Sequence, residues 1–133
     1  MKIGILGISG RVATRVMREA LNRGHEVVGI DHVKGPNVDD AVDFHQLDME
    51  DVDGIAQAIR GCDAYIFTVI PVLKGVDKIT HVVQCGIDAC KKAGVPRMIY
   101  VCGGVSSWVR PGRRISTSPR NLLMMVPFTI ARS

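Results

Sequence analysis

Lys2-Ile3-Gly4-Ile5-Leu6-Gly7-Ile8-Ser9-Gly10-Arg11-Val12-Ala13 decides how this chain folds. An apolar run ends at Leu6, two glycines frame a short turn, and a helical pattern follows. A strand, a glycine turn and a helix in that order open the βαβ unit that binds a dinucleotide. Gly7 lets the backbone turn sharply, and Gly10 lets it approach a pyrophosphate with no Cβ in the way. The helix starting near Arg11 points its free N–H groups and its positive dipole end at those phosphates. Ala13 sits where a small residue lets the helix pack on the strand.

Working outward, Val12, Val16 and Ala20-Leu21 recur at helical spacing and predict the inner face of the first helix. Gly24 stops it. Residues 25–30 read as the second strand, and Asp31 follows. It stands about 20 residues past the glycines, where an acid takes the ribose hydroxyls. Residues 42–47 alternate apolar and polar and predict a third strand. Asp51 is a candidate N-cap for a short helix with Val52, Ile55, Ala56 and Ile59 on one face, closed by Gly61. Residues 64–70 form a nearly unbroken apolar run, the pattern of a parallel strand covered on both faces, and Pro71 ends it. The next helix is predicted over 76–93, with Ile79, Val83, Ile87 and Cys90 inward and Gly94 and Pro96 as its stop. Residues 98–102 form the fifth strand, and Gly103-Gly104 turns the chain at its end.

Five strands alternating with helices predict an α/β fold. It is a doubly wound parallel sheet in three α/β/α layers, the Rossmann fold, with strand order 3-2-1-4-5. The order reverses between strands one and four, so the ligand crevice is expected along residues 7–11, Asp31 and residues 68–70. This assigns residues 1–105 to the nucleotide-binding domain. After Gly104 the pattern degrades around Pro111, Gly112 and Pro119. Residues 106–133 are then a short basic segment, either an edge element or a tail. A sheet ending at strand five leaves an edge bare, which predicts a homodimer or cover by residues 121–130.

The 133 residues suit one domain, and the 47% apolar share is that of a globular protein. No run approaches the length of a membrane span. The first strand starts at Lys2, which leaves no room for a signal peptide and points to the cytoplasm. Cys62, Cys85, Cys90 and Cys102 have no Cys-x-x-Cys spacing and read as structural thiols. His81 and Cys85 share a helix face but have no second ligand pair, so no metal site is expected. Through Asp88 the chain has 9 Lys/Arg against 13 Asp/Glu; from Ala89 on it has 8 Lys/Arg and no acid. A basic stretch of this kind can meet nucleic acid. With only Tyr100, Trp108 and Phe128 as aromatics among it, it reads instead as a rim near an anionic cofactor or a solvated tail.

Four segments carry a family resemblance. They are Gly7-x-x-Gly10-x-x-Ala13; Gly24-His25-Glu26-Val27-Val28-Gly29-Ile30-Asp31; Asp48-Met49-Glu50-Asp51; and residues 89–97 leading into the fifth strand. On these, residues 1 to about 105 resemble the atypical and extended short-chain dehydrogenase/reductases, and most of all the NmrA-like, NADH-flavin-reductase-like proteins. Ala13 stands where that family usually has glycine. The resemblance implies a phosphate loop of Gly7, Ile8, Ser9, Gly10, Arg11 and Val12. It implies Asp48 and Met49 at the adenine, Thr68 and Val69 beside the nicotinamide ribose, and Gly103 near the nicotinamide. The cofactor implied is NAD or NADP. Asp31 favours NAD, whereas Arg11, His32 and Lys34 offset its charge toward NADP.

Many members of that superfamily use a Tyr-x-x-x-Lys pair as proton donor. No such pair follows Ser106 in this sequence. Ser106 or Ser107 stands where the family's active-site serine would be. Flavin-reductase-like members need little acid catalysis, since the cofactor supplies the chemistry. The expectation is therefore an NAD(P)H-dependent oxidoreductase passing hydride to a small acceptor: a flavin, a quinone or a sugar-nucleotide-like carbonyl. The alternatives are a dinucleotide-sensing regulator without catalysis and a truncated relative without activity.

Overall fold

The structure is a computed structural model that describes residues 1–68 and 79–101. Beyond these it describes the strand pairing of 108–110, 113–114 and 129–132. The elements run β1 (Lys2–Leu6), α1 (Arg11–Asn22), β2 (Glu26–Asp31), β3 (Asp43–Gln46), α2 (Val52–Ile59) and β4 (Ala64–Phe67). They continue with α3 (Ile79–Ala93), β5 (Arg97–Tyr100), β6 (Trp108–Arg110), β7 (Arg113–Arg114) and β8 (Thr129–Arg132).

The main sheet has the order β3-β2-β1-β4-β5-β8. Its first five strands are parallel in the expected 3-2-1-4-5 arrangement, and β1 lies between β2 and β4. The chain winds one way from β1 to β3 and the other way from β4 to β5, so the switch point falls beside β1. β8 pairs antiparallel with β5, Ile99 opposite Ile130, and covers the edge that five strands alone would leave bare. β6 and β7 form a separate two-stranded ladder.

Neighbouring residues on one strand feed opposite layers. Leu6, Val28 and Phe67 enter a core with Ile55 and Ile59 of α2 and Val82 and Ala89 of α3. Ile5, Val27 and Ile66 enter a second core with Ala13, Met17 and Ala20 of α1. This two-sided burial explains the continuous apolar runs of β1 and β4. The side chain of Asp51 accepts from Gly54 N at 3.0 Å and caps α2, as its position suggests.

Several boundaries and faces differ from the sequence reading. Val12 is 44% exposed, whereas Ala20 is buried as expected and Val16 and Leu21 pack partly buried against the core; Ala13 and Met17 turn inward beside them. Small residues at 13 and 20 let the helix come close, and the long Met17 fills the space between them. In α3 the inward residues are Val82, Cys85, Ala89 and Cys90, with Val83 and Ile87 only partly buried. Gly86 sets that rotation. A Cβ there would lie 2.9 Å from Cδ2 of Phe67, so the helix rests on β4 along its smallest residue. β4 leaves the ladder after Phe67, β5 starts one residue earlier and ends two residues earlier than expected, and β3 is four residues long.

Candidate functional site

The carboxyl ends of the first four strands bring the candidate residues to one edge of the sheet. Gly7 follows β1, Asp31 is the last residue of β2, Asp48 comes two residues after β3, and Thr68 follows β4. Leu47 N donates to Asp31 O at 3.1 Å, and Thr68 donates from Oγ1 to Leu6 O at 2.7 Å. These bonds tie each strand end to its neighbour.

The glycine loop is built by local bonds. Gly7 has φ +80, a conformation that a side chain disfavours. Its N–H and that of Ile8 both donate to Ile30 O, at 2.7 and 3.3 Å, which fastens the loop across β2. Gly10 N donates back to Gly7 O at 2.9 Å. A Cβ on Gly10 would stand 3.2 Å from that same oxygen, so the turn has almost no room for one. The side chain of Ile8 is fully buried, which leaves only its backbone to serve a ligand.

Gly10 is also the N-cap of α1, with φ −75 and ψ 166, and no side chain caps the helix. The first turn carries no acid. Thr14 N makes the first helical bond, to Gly10 O at 2.9 Å, so the N–H groups of Arg11, Val12 and Ala13 have no acceptor within the helix. An α-helix that starts on a glycine, uncapped and free of negative charge, is a receptor for an anion. The exposed Val12 and Arg11 stand at its mouth.

Asp31 faces this loop. Its Oδ2 accepts from Ser9 N at 3.1 Å. Its Oδ1 accepts from His32 N and lies 2.8 Å from His32 Nδ1. The carboxylate only accepts, so Nδ1 carries the proton in this pair. The side chain of Asp31 is 13% exposed, against 80% for His32. Asp48 Oδ1 accepts from Glu50 N at 2.8 Å, and Asp51 N donates to Asp48 O at 3.1 Å, which orders the turn into α2. Met49 packs partly buried against the α2–α3 core.

The structure thus brings together Gly7, Ile8, Ser9, Gly10, Arg11, Val12, Asp31 and His32, with Asp48, Met49 and Thr68 on the same sheet edge. Val69, Gly103, Ser106 and Ser107 lie outside the described residues. The sequence reading missed the bond from Ser9 to Asp31. It also missed that Ser9 Oγ donates to Val33 O at 2.9 Å and accepts from Gly35 N at 2.8 Å. Ser9 and Gly35 are far apart in sequence, and no periodicity links them.

The pyrophosphate and ribose of a dinucleotide fit these groups. The turn at Gly10 leaves its backbone open to a close approach, the start of α1 offers unpaired N–H groups, and the carboxylate of Asp31 lies beside them. Elsewhere, Cys85 Sγ lies 3.7 Å from His81 Nε2. Burial, and after it the charge of Glu50, raises the Cys85 pKa, so the group is a thiol rather than a thiolate. Among the described residues no group of three His, Cys, Asp or Glu side chains is placed to hold a metal ion. No helix among them is long and apolar enough to cross a membrane.

The family model for NAD(P)H-binding proteins matches residues 7–122. No curated protein matches this chain. Among solved structures, a candidate epimerase from Bacteroides thetaiotaomicron is 32% identical with a TM-score of 0.75, over 90% of this chain and 55% of its own. A candidate exported protein from Burkholderia pseudomallei is 29% identical at TM-score 0.75, over 90% and 56%. A candidate NADH-flavin reductase from Streptococcus pneumoniae shares the fold at TM-score 0.72 and 18% identity, again over 90% and 56%. The chain therefore spans little more than half the length of these structures.

Proposed function

This chain belongs to the NAD(P)H-binding family, and we propose that it is an oxidoreductase that takes NAD(H) and passes hydride to a small, flat acceptor. The observation that carries the reading is the convergence of the Gly7–Gly10 turn, the uncapped start of α1 and Asp31 on one crevice. The nicotinamide, when bound, supplies the hydride; the protein aligns it and keeps water from it. The N–H groups of Arg11 to Ala13 hold the pyrophosphate. Asp31 accepts from the ribose diol and repels a 2′-phosphate, which favours NAD over NADP. Thr68, fixed by its bond to Leu6 O, lines the crevice beyond β4. Ser106 or Ser107 orients the acceptor's carbonyl. A flavin or quinone needs no stronger acid, because the cofactor supplies the chemistry.

The second reading is a dinucleotide-binding regulator without turnover, which needs only the glycine turn and the uncapped start of α1. Cys62, Cys85 and Cys90, free and buried thiols among the described residues, support a reducing compartment such as the cytoplasm for either. Oxidation of NADH by a panel of flavins and quinones, followed at the nicotinamide absorbance, tests the choice. Turnover with any acceptor supports the enzyme. Binding without turnover across the panel supports the regulator.

A further inference from the structure

We propose that Ser9 is a positioning residue that sets the choice between NAD(H) and NADP(H), an inference that rests on the dinucleotide site proposed above. Three bonds converge on it. Its N–H donates to Asp31 Oδ2 at 3.1 Å, its Oγ donates to Val33 O at 2.9 Å, and the same Oγ accepts from Gly35 N at 2.8 Å. One residue of the phosphate loop thereby holds both the ribose carboxylate and the loop that follows β2. The contact is close. A Cβ on Gly35 would lie 2.9 Å from Cβ of Ser9 and 3.1 Å from its Oγ.

A 2′-phosphate brings about two negative charges to the place where the ribose meets Asp31. A site accommodates it by turning the carboxylate aside or by bringing a cation to it. The Ser9 knot opposes both. Asp31 is held through one oxygen by Ser9 and through the other by His32 N at 2.8 Å. The ring of His32 is already engaged on Asp31. Lys34 stands over the ring of Phe44, Nζ 5.9 Å from its centroid, on a loop whose two neighbouring peptide groups are bonded to Ser9 Oγ. Gln46 Nε2 donates to His32 O at 3.0 Å and ties the start of the loop to β3. Without the Ser9 hydroxyl, Val33 O and Gly35 N lose their partner. The loop is then free to carry Lys34 toward a 2′-phosphate. Arg11 is exposed at the head of α1 and is left unchanged in every variant of the test.

The test is the dissociation constant for NAD⁺ and for NADP⁺, measured calorimetrically on the full chain at one ionic strength. The set is the wild type, Ser9→Ala, Gly35→Ala, and Ser9→Ala combined with Lys34→Gln. The wild type is expected to prefer NAD⁺ by about tenfold or more. Ser9→Ala and Gly35→Ala are each expected to shrink that preference by about fivefold or more, through tighter NADP⁺ binding. Lys34→Gln is expected to restore it. Gly35→Ala opens the loop by steric pressure and serves if Ser9→Ala folds poorly. A residue that only stabilises the loop would weaken both cofactors together, and an unchanged ratio in both variants overturns the inference. A wild type that prefers NADP⁺ overturns it too but leaves the dinucleotide site standing. A wild type that binds neither overturns both.

Discussion

Gly10→Asp puts a carboxylate at the N-cap of α1, where no side chain now accepts a bond. Two effects follow, with opposite consequences. In the free protein the new oxygen accepts from the first-turn N–H groups and faces the positive helix end. Together these contribute a few tenths to about 1 kcal/mol of stability. The Cβ contact with Gly7 O, at 3.2 Å, offsets part of that. The free variant should therefore melt within a few degrees of the wild type. In the complex the carboxylate stands where the pyrophosphate must come. A unit charge pair about 4 Å apart at an effective dielectric constant near 20 costs about 4 kcal/mol, roughly a thousandfold in affinity. For the wild type, ligand at a hundred times its dissociation constant adds about 2.7 kcal/mol. In a domain of this size that is roughly 8–13 °C of melting temperature. Differential scanning fluorimetry with and without NAD(H) reads both quantities. The expected pattern is a large ligand shift in the wild type and none in the variant, with nearly equal melting points when free. A variant that keeps its shift would mean that the phosphates do not approach Gly10, and the placement of the site would be wrong.

Further expectations concern the core. The Tyr65 hydroxyl is fully buried with no hydrogen-bond partner among the described residues, so Tyr65→Phe should raise stability by about 1 kcal/mol in urea titration; a loss would reveal a partner. Gly86→Ala should destabilise by about 1–2 kcal/mol, because the 2.9 Å contact with Phe67 outweighs the gain in helix propensity. Burial, helped by Cys62, pushes the Cys90 thiol up from 9.0 to about 12. The folded state then holds a proton that the unfolded chain releases, so the contribution is whole below pH 9.0 and declines toward about 12. Urea midpoints measured across that window should fall for the wild type and fall less for Cys90→Ala.

Most of the fold was legible because its signals are local. The glycine turn, the apolar runs of β1 and β4 and the Asp51 cap each lie within a few residues, and each fixes one element. The direction in which a helix faces was less legible. On α1 the expected stripe holds at Val16, Ala20 and Leu21, but Val12 is exposed and Ala13 and Met17 extend the buried face to the other side. In α3, Gly86 sets which face meets the sheet. Strand ends were blurred because an apolar run continues past the last ladder bond, as at Phe67.

At the site, the sequence by itself determined the chemistry on offer. It supplied a turn without side chains, a helix start without a cap and an acid at the end of β2, because these depend on residue type and spacing. Only the tertiary structure decided what those groups do to one another. Parallel pairing of β1 with β2 sets Leu6 beside Ile30, and that register carries Ser9 onto Asp31 and under Gly35. Residues separated by 22 and 26 positions meet there only because two strands run side by side. The same physical reason closes the sheet. No clear periodicity marks residues 129–132 as a strand, and they become β8 because β5 presents an unpaired edge to them.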